Sequence, residues 1–169
     1  MTTTVHLREI TADNRAELEA LAVTAAQSRY VAGVADSIAE AAETPRAAPW
    51  YRGVYAGDTP VGFVMISDGI SAEELAADPD LRGPYFLWRL LIDQRHQGRG
   101  YGAAAVRLVV DHLRTHRPDA EVLFTSCGRG PGEPYGFYLR QGFTDTGTTD
   151  PDGETVLTLP LHPDRYRGR

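Results

Sequence analysis

Residues 85–92 form a nearly continuous apolar run, and the segments on its C-terminal side leave the chain few ways to fold. An apolar run of this length suits a strand buried on both faces of a sheet. A polar, glycine-rich stretch comes next. In the segment after it, Ala103, Val106, Val110 and Leu113 recur on one helical stripe that stops before Pro118. Residues 121–126 read as a second buried strand. A strand, a helix and a strand in this order make a right-handed crossover, which joins two parallel strands.

The flanking segments supply antiparallel partners. Val5, Leu7 and Ile10 come close to alternation and predict a short edge strand. The stretch Thr11-Ala12-Asp13 offers a helix cap, and Leu18, Leu21, Ala22 and Ala25 follow at helical spacing. A second helix is predicted over residues 37–43, stopped by Pro45. Residues 50–55 and 61–66 are β-rich and straddle the turn at 56–60, which predicts a hairpin. Residues 68–83 read as an acidic loop with one helical turn at 72–76. A glycine- and proline-rich loop at 128–134 leads to a short helix through Gln141, and strands are predicted at 143–148 and 155–159 around the turn at 150–153. The tail from His162 to Arg169 is polar and predicted to fray. The expected fold class is α/β: one domain over residues 1–169, with a mixed, mostly antiparallel central sheet, one parallel strand pair and flanking helices.

Composition narrows the function. A chain of 169 residues is long enough for one real core without disulfides or metals. Cys127 is the single cysteine, so no internal disulfide or cysteine-rich metal site is expected, and a cytoplasmic location is. No apolar stretch approaches a bilayer span, and residues 1–8 lack the order of a signal peptide. The net charge of −6 argues against a nucleic-acid surface, although all 17 basic residues are arginine.

The loop Arg95-His96-Gln97-Gly98-Arg99-Gly100-Tyr101-Gly102-Ala103 lies where a helix begins. Helix N-termini expose unpaired N–H groups and a positive dipole end, and glycine lets a ligand come close. Three glycines in five residues would only weaken a helix start by about 1 kcal/mol each, so an anion site is the better reading. Gly98, Gly100 and Ala103 also fit the dinucleotide pattern G-x-G-x-x-A. Here, however, polar residues separate the strand from the glycines, and no further parallel strands remain for that fold. A Walker A loop is excluded because no Gly-Lys-Ser/Thr occurs.

The segment Arg95-His96-Gln97-Gly98-Arg99-Gly100 resembles the Gln/Arg-x-x-Gly-x-Gly/Ala acetyl-CoA signature of the GNAT superfamily of N-acetyltransferases. The segment Phe137-Tyr138-Leu139-Arg140-Gln141-Gly142-Phe143 resembles that superfamily's tyrosine-bearing short helix. The likeness covers residues 50–160 well and the N-terminal helices loosely. It implies the GNAT fold, with its parallel strands splayed near residues 90–92 and 122–126. It also implies acetyl-CoA as co-substrate, with backbone groups of Leu91 and Ile92 on the pantetheine and the amides of Gln97, Gly98, Arg99, Gly100, Tyr101, Gly102 and Ala103 on the pyrophosphate. No metal is implied. Tyr138 would be the general acid that protonates the leaving thiolate, and Cys127 a structural thiol rather than an acyl relay. No base is identified. Glu133 stands where many relatives carry Asn, and a water chain is the alternative.

Within the superfamily the chain looks most like the bacterial diamine and polyamine acetyltransferases, which implies a small-molecule amine partner and leaves room for a homodimer. A polycation calls for carboxylates and aromatic walls. Asp36, Glu40, Glu43, Asp68, Glu73 and Glu74 supply the first, unless they are an ordinary solvated face, and Glu133 adds another. Tyr30, Trp50, Trp88 and Tyr135 supply the second. Antibiotic-type amines, an amino acid, a protein amine, or a CoA-binding sensor without catalysis are the alternatives.

Overall fold

Turn chemistry and alternation build the first half of the sheet. The computed structural model describes residues 3–166. In chain order its elements are β1 (Val5–Arg8), α1 (Arg15–Glu19), α2 (Val34–Glu43), β2 (Pro49–Ala56), β3 (Thr59–Asp68), α3 (Ala72–Ala77), β4 (Tyr85–Ile92), α4 (Tyr101–His116), β5 (Val122–Cys127), α5 (Tyr135–Arg140), β6 (Thr144–Thr149) and β7 (Thr155–Pro160). The seven strands lie in the order β1-β2-β3-β4-β5-β7-β6, with β1 at an edge as expected. Every neighbouring pair is antiparallel except β4 and β5, which are parallel across the α4 crossover. Residues 163–166 close the described chain in a short 3-10 turn, where fraying was expected; the rest of that tail lies outside the described residues. Among the described residues no helix is long and apolar enough to cross a membrane.

The core has two halves, one on each face of the sheet. On one face α4 lays Ala105, Val106, Val109 and Leu113 over Val54, Val64, Ile66 and Leu87. On the other, Leu18 and Leu21 and the α2 residues Val34, Ile38 and Ala41 cover Tyr55, Phe63, Met65 and Leu91. The strand buried on both faces is therefore β3, whose Phe63 and Met65 point one way and Val64 and Ile66 the other. In β4 only Leu87 and Leu91 are buried, against the expectation for residues 85–92, because its far edge opens away from β5. Strand β5 likewise alternates between buried and half-buried positions instead of being buried throughout.

The first helix also departs from its predicted length. Helical spacing extended it to Ala25, but α1 ends at Glu19. The chain leaves the helix because Ala22 is bound elsewhere: its N–H donates to Asp93 Oδ2 at 2.9 Å and its carbonyl accepts from Gln94 N–H at 2.8 Å. In contrast, α2 begins one turn earlier than the predicted residues 37–43.

Strands β3 and β4 approach closely at Gly62, where an added Cβ would lie 2.3 Å from the Leu91 carbonyl oxygen. Gly62→Ala is expected to destabilise the fold by about 1–3 kcal/mol, since the colliding atom is backbone and cannot swing aside. Urea unfolding checks this, and an unchanged midpoint would show that the strands separate freely.

Candidate functional site

A one-residue irregularity in β4 opens the site. Met65 pairs with Arg89 and Ile66 with Leu87, so Trp88 is an extra residue with no partner on β3. Such a bulge bends its strand and re-aims side chains. Before it β4 makes two pairings with β5, Phe86 with Phe124 and Leu87 with Thr125, and past it the strands diverge. The divergence leaves a cleft of about 650 Å³ lined by the open ends of β4 and β5, the glycine loop, α5 and residues from the 23–31 segment.

The loop at one end of the cleft is fastened by Asp93, which is 2% exposed. Its carboxylate accepts from Ala22 N–H, from Arg95 N–H at 2.9 Å and from Arg95 Nε at 2.8 Å. The Arg95 guanidinium is the first cause that holds the Asp93 pKa down at about 2, and the two backbone N–H groups add to it. Gln97 reaches back to donate to the Ile92 carbonyl at 2.9 Å and pairs with the Gln27 side-chain amide at 2.8 Å. Gly98 and Gly100 have φ of +77° and +83°, and a Cβ on either would meet nothing within 4 Å. Both glycines thus meet a left-handed backbone on an open approach. The first α4 bond from this region is Ala104 N–H to Gly100 O at 3.0 Å, which leaves the amides of Tyr101, Gly102 and Ala103 without intrahelical partners. Gly102 is small for another reason, as its added Cβ would lie 3.2 Å from the Phe137 ring.

On the opposite wall α5 carries Tyr138, which is 6% exposed and packed edge-on against Phe137 and Phe143. Burial raises its pKa well above the usual tyrosine range, and the Thr125 side chain works in the other direction. Burial, helped by the charge on Glu133, pushes the Cys127 thiol up to about 11. The Glu133 carboxylate accepts from Tyr135 N–H at 2.5 Å and lines the cleft.

Of the residues singled out in the sequence, Ile92, Gln97, Gly98, Gly100, Tyr101, Gly102, Ala103, Tyr138, Tyr30, Trp88 and Glu133 line this one cleft. Leu91 does not. It is buried in the core beneath α1 and α2, and Leu90 and Ile92 face the cleft in its place. Arg99 lines a separate cavity with Arg107. Tyr135 donates to Asp145 Oδ2 at 2.9 Å under the Arg129 guanidinium, and Glu40 is ion-paired to Arg89 at 2.5 Å. Asp68 is held by His112 and Arg117, and Trp50 stacks on His112 at 4.1 Å, so neither belongs to the cleft. Sequence reasoning missed Asp93, Gln27, Arg89 and Thr125. Arg89 carried a signal, being the one charged residue inside the apolar run.

Asp93 makes stability depend on acid. Its folded pKa lies below the ordinary 3.8, so its contribution is complete above that value and is lost as pH falls through about 2. The displacement corresponds to about 2 kcal/mol at neutral pH. Asp93→Asn is expected to lower stability by about that amount at pH 7, with the gap from wild type narrowing towards pH 2. Urea midpoints across this range test it, and a gap that stays constant would remove the carboxylate's charge from the account.

The profile of the acetyltransferase (GNAT) family matches residues 7–143. Spermine/spermidine N(1)-acetyltransferase of Bacillus subtilis (strain 168) is 28% identical over 160 residues, covering 93% of this chain and 99% of that protein. Among solved structures, aminoglycoside acetyltransferase AAC(6')-Ib in complex with coenzyme A superposes with a TM-score of 0.68 at 18% identity, over 97% of this chain and 99% of that one. An acetyltransferase from Thermus thermophilus gives a TM-score of 0.59 at 19% identity, over 94% and 98% of the two chains. The family profile spans most of the chain, and the fold is shared with these structures: the protein belongs to the acetyltransferase (GNAT) family of enzymes.

Proposed function

We propose that the protein acetylates a primary amine of a small polyamine, taking the acetyl group from acetyl-CoA. The observation that carries this reading is the cleft itself, with a glycine loop at a helix start on one end and Tyr138 in the wall. The loop fits a pyrophosphate, because two left-handed glycines and a row of unpartnered amides meet in open space. The divergent edges of β4 and β5 fit an extended pantetheine arm, with the backbone of Leu90 and Ile92 facing it. The B. subtilis relative, named for spermine and spermidine, supports the acceptor class.

Acetyl-CoA supplies an activated acyl group: the acceptor nitrogen bonds to the acetyl carbon, the carbon–sulfur bond breaks, and the nitrogen gives up one proton while the sulfur takes one. The protein's part is to hold the two reactants together and to manage the protons. Tyr138 keeps its proton at all ordinary pH values, so its hydroxyl is a donor for the departing sulfur. Cys127 stays a thiol for the same reason of burial and offers no competing nucleophile. Val23, Val31 and Trp88 give the acceptor side apolar walls suited to methylene groups, and Glu133 supplies a carboxylate for an ammonium. Glu40 and Asp68 are already neutralised by Arg89 and by Arg117, which reduces the acidic set weighed in the sequence.

A screen of amines with acetyl-CoA, read as free thiol, tests the reaction directly. Thiol release with spermidine is expected, and none with any amine would overturn the reading. Gly100→Val is expected to weaken CoA binding by about tenfold or more with a smaller effect on stability, since φ is +83° there and a branched side chain would stand in the open approach. An affinity within about threefold of wild type would move the phosphate site elsewhere. For Tyr138→Phe, single-turnover rates should fall by about 10²-fold while the Kd for acetyl-CoA barely changes. An undiminished single-turnover rate would take Tyr138 out of the chemistry.

A further inference from the structure

The glycine-rich loop after β5 has its own packing logic. A Cβ on Gly128 would lie 2.8 Å from Tyr30 Cε1, and one on Gly130 would lie 2.6 Å from the Tyr30 hydroxyl oxygen. A Cβ on Gly132 would lie 3.1 Å from the backbone and side chain of Ala26. Three glycines at alternate positions therefore leave room for one short segment, residues 26–30, to press against the loop. The Tyr30 ring is seated by its contact with these glycines, and its hydroxyl donates a long bond of 3.3 Å to the Arg129 carbonyl. A 3-10 turn at Gln27–Arg29 stiffens the same segment, and Gln27 is paired with Gln97 on the far side of the cleft. The segment is thus tied to both walls, to the loop before α4 through Gln27 and to the loop after β5 through Tyr30. Gln27, Tyr30, Gly132 and Glu133 all line the cleft that it crosses.

We infer that Tyr30 is a specificity-determining clasp: by seating residues 26–30 on the glycines of the 128–132 loop it roofs the acceptor half of the cleft and restricts the acceptor to slender, linear amines. This rests on the acetyl-transfer reading for its chemistry, but the clasp itself is a matter of shape. A chain of methylenes and ammonium groups passes beneath a strap held at both ends. An amine built from linked rings meets the Tyr30 ring or the strap's backbone, and rejection by collision is an economical source of selectivity. The apolar side chains of Val23, Val31 and Trp88, which line the same cleft, suit such a chain. Tyr30 accordingly acts through the width it imposes and not as a wall that a cation stacks upon.

The test compares spermidine with kanamycin, as linear and ring-built probes, on wild type, Tyr30→Ala, Tyr30→Phe and Gly128→Ala. Binding of each amine to the CoA-loaded protein is measured by calorimetry, and kcat/KM by thiol release from acetyl-CoA. Wild type should bind spermidine and discriminate against kanamycin. In Tyr30→Ala the kanamycin-to-spermidine ratio should rise by about tenfold, the scale of a steric pocket change. Tyr30→Phe keeps the ring and should keep the wild-type ratio. Gly128→Ala pushes the ring off its seat without removing an atom, so it should shift the ratio in the same direction as Tyr30→Ala even if that variant folds poorly. Equal binding of the two amines to wild type, binding of neither, or a ratio unmoved in both Tyr30→Ala and Gly128→Ala would overturn the clasp. Selective binding of spermidine with no thiol release would leave the clasp standing and sink the transfer reaction instead.

Discussion

One residue without a partner holds the site open. The register between β3 and β4 steps over Trp88, and from that point β4 turns away from β5. A strand edge that loses its neighbour leaves carbonyl and amide groups unmade, at a cost of about 1–3 kcal/mol for each that is buried. Two side chains offset this. The Thr125 hydroxyl donates to the Leu87 carbonyl at 3.0 Å, where the ladder ends, and the Gln97 amide donates to the Ile92 carbonyl at 2.9 Å, at the mouth of the loop. The divergence is thus capped at both ends by side chains, and the edge between them is left for an extended ligand to complete. The same bulge turns Trp88 and Arg89 toward α2, where Arg89 meets Glu40.

The glycine loop beyond β4 depends on a buried charge. Asp93 terminates β4, and by binding Ala22, 71 residues away in sequence, it sets where the segment toward Tyr30 begins. By binding Arg95 it sets the turn that ends in Gly98 and Gly100. A carboxylate in a nearly water-free place is costly unless it is fully hydrogen-bonded, and here its two oxygens share four donors. The position of the glycine loop and the path of the roofing segment therefore have a common anchor. A change at Asp93 reaches both sides of the cleft.

What could be read from the sequence depends on the range of the interactions involved. The hairpin at 56–60, the bounds of β4 and the start of α4 rest on turn residues and local periodicity, and they emerged with little change. The length of α1 did not, because a contact with Asp93 cuts the helix short and no local pattern encodes it. The bulge has no turn signature either. Its trace is Arg89 inside an apolar run, a charge that a strand buried on both faces would have no place for. Most of the residues named for the site do meet in one cleft, since a motif fixes its own neighbours in space. Leu91, Glu40, Tyr135 and Arg99 fall outside it: Leu91 turns to the opposite face of β4, and for Glu40 and Tyr135 the direction of the side chain depends on partners, Arg89 and Asp145, that spacing cannot reveal.

Two ionisable groups on the α5 side of the cleft, Tyr138 and Cys127, are kept uncharged, and by the same means. Tyr138 is enclosed by Phe137, Phe143 and the end of β5, and Cys127 is 3% exposed beside it. With a pKa of about 11, Cys127 is a thiolate in about one molecule in ten thousand at pH 7. An acyl group passed through that sulfur would wait on a very scarce species, whereas an amine held in the cleft needs only to lose its own proton. The acidic neighbours Glu133 and Glu154 act on Cys127 in the same direction as burial, and the Arg129 charge acts against them. Their negative field has the opposite effect on an ammonium, which it attracts. The wall that keeps Cys127 an inert thiol also carries Glu133, and the proposed direct transfer, with the Tyr138 phenol beside the leaving sulfur, asks nothing of that thiol.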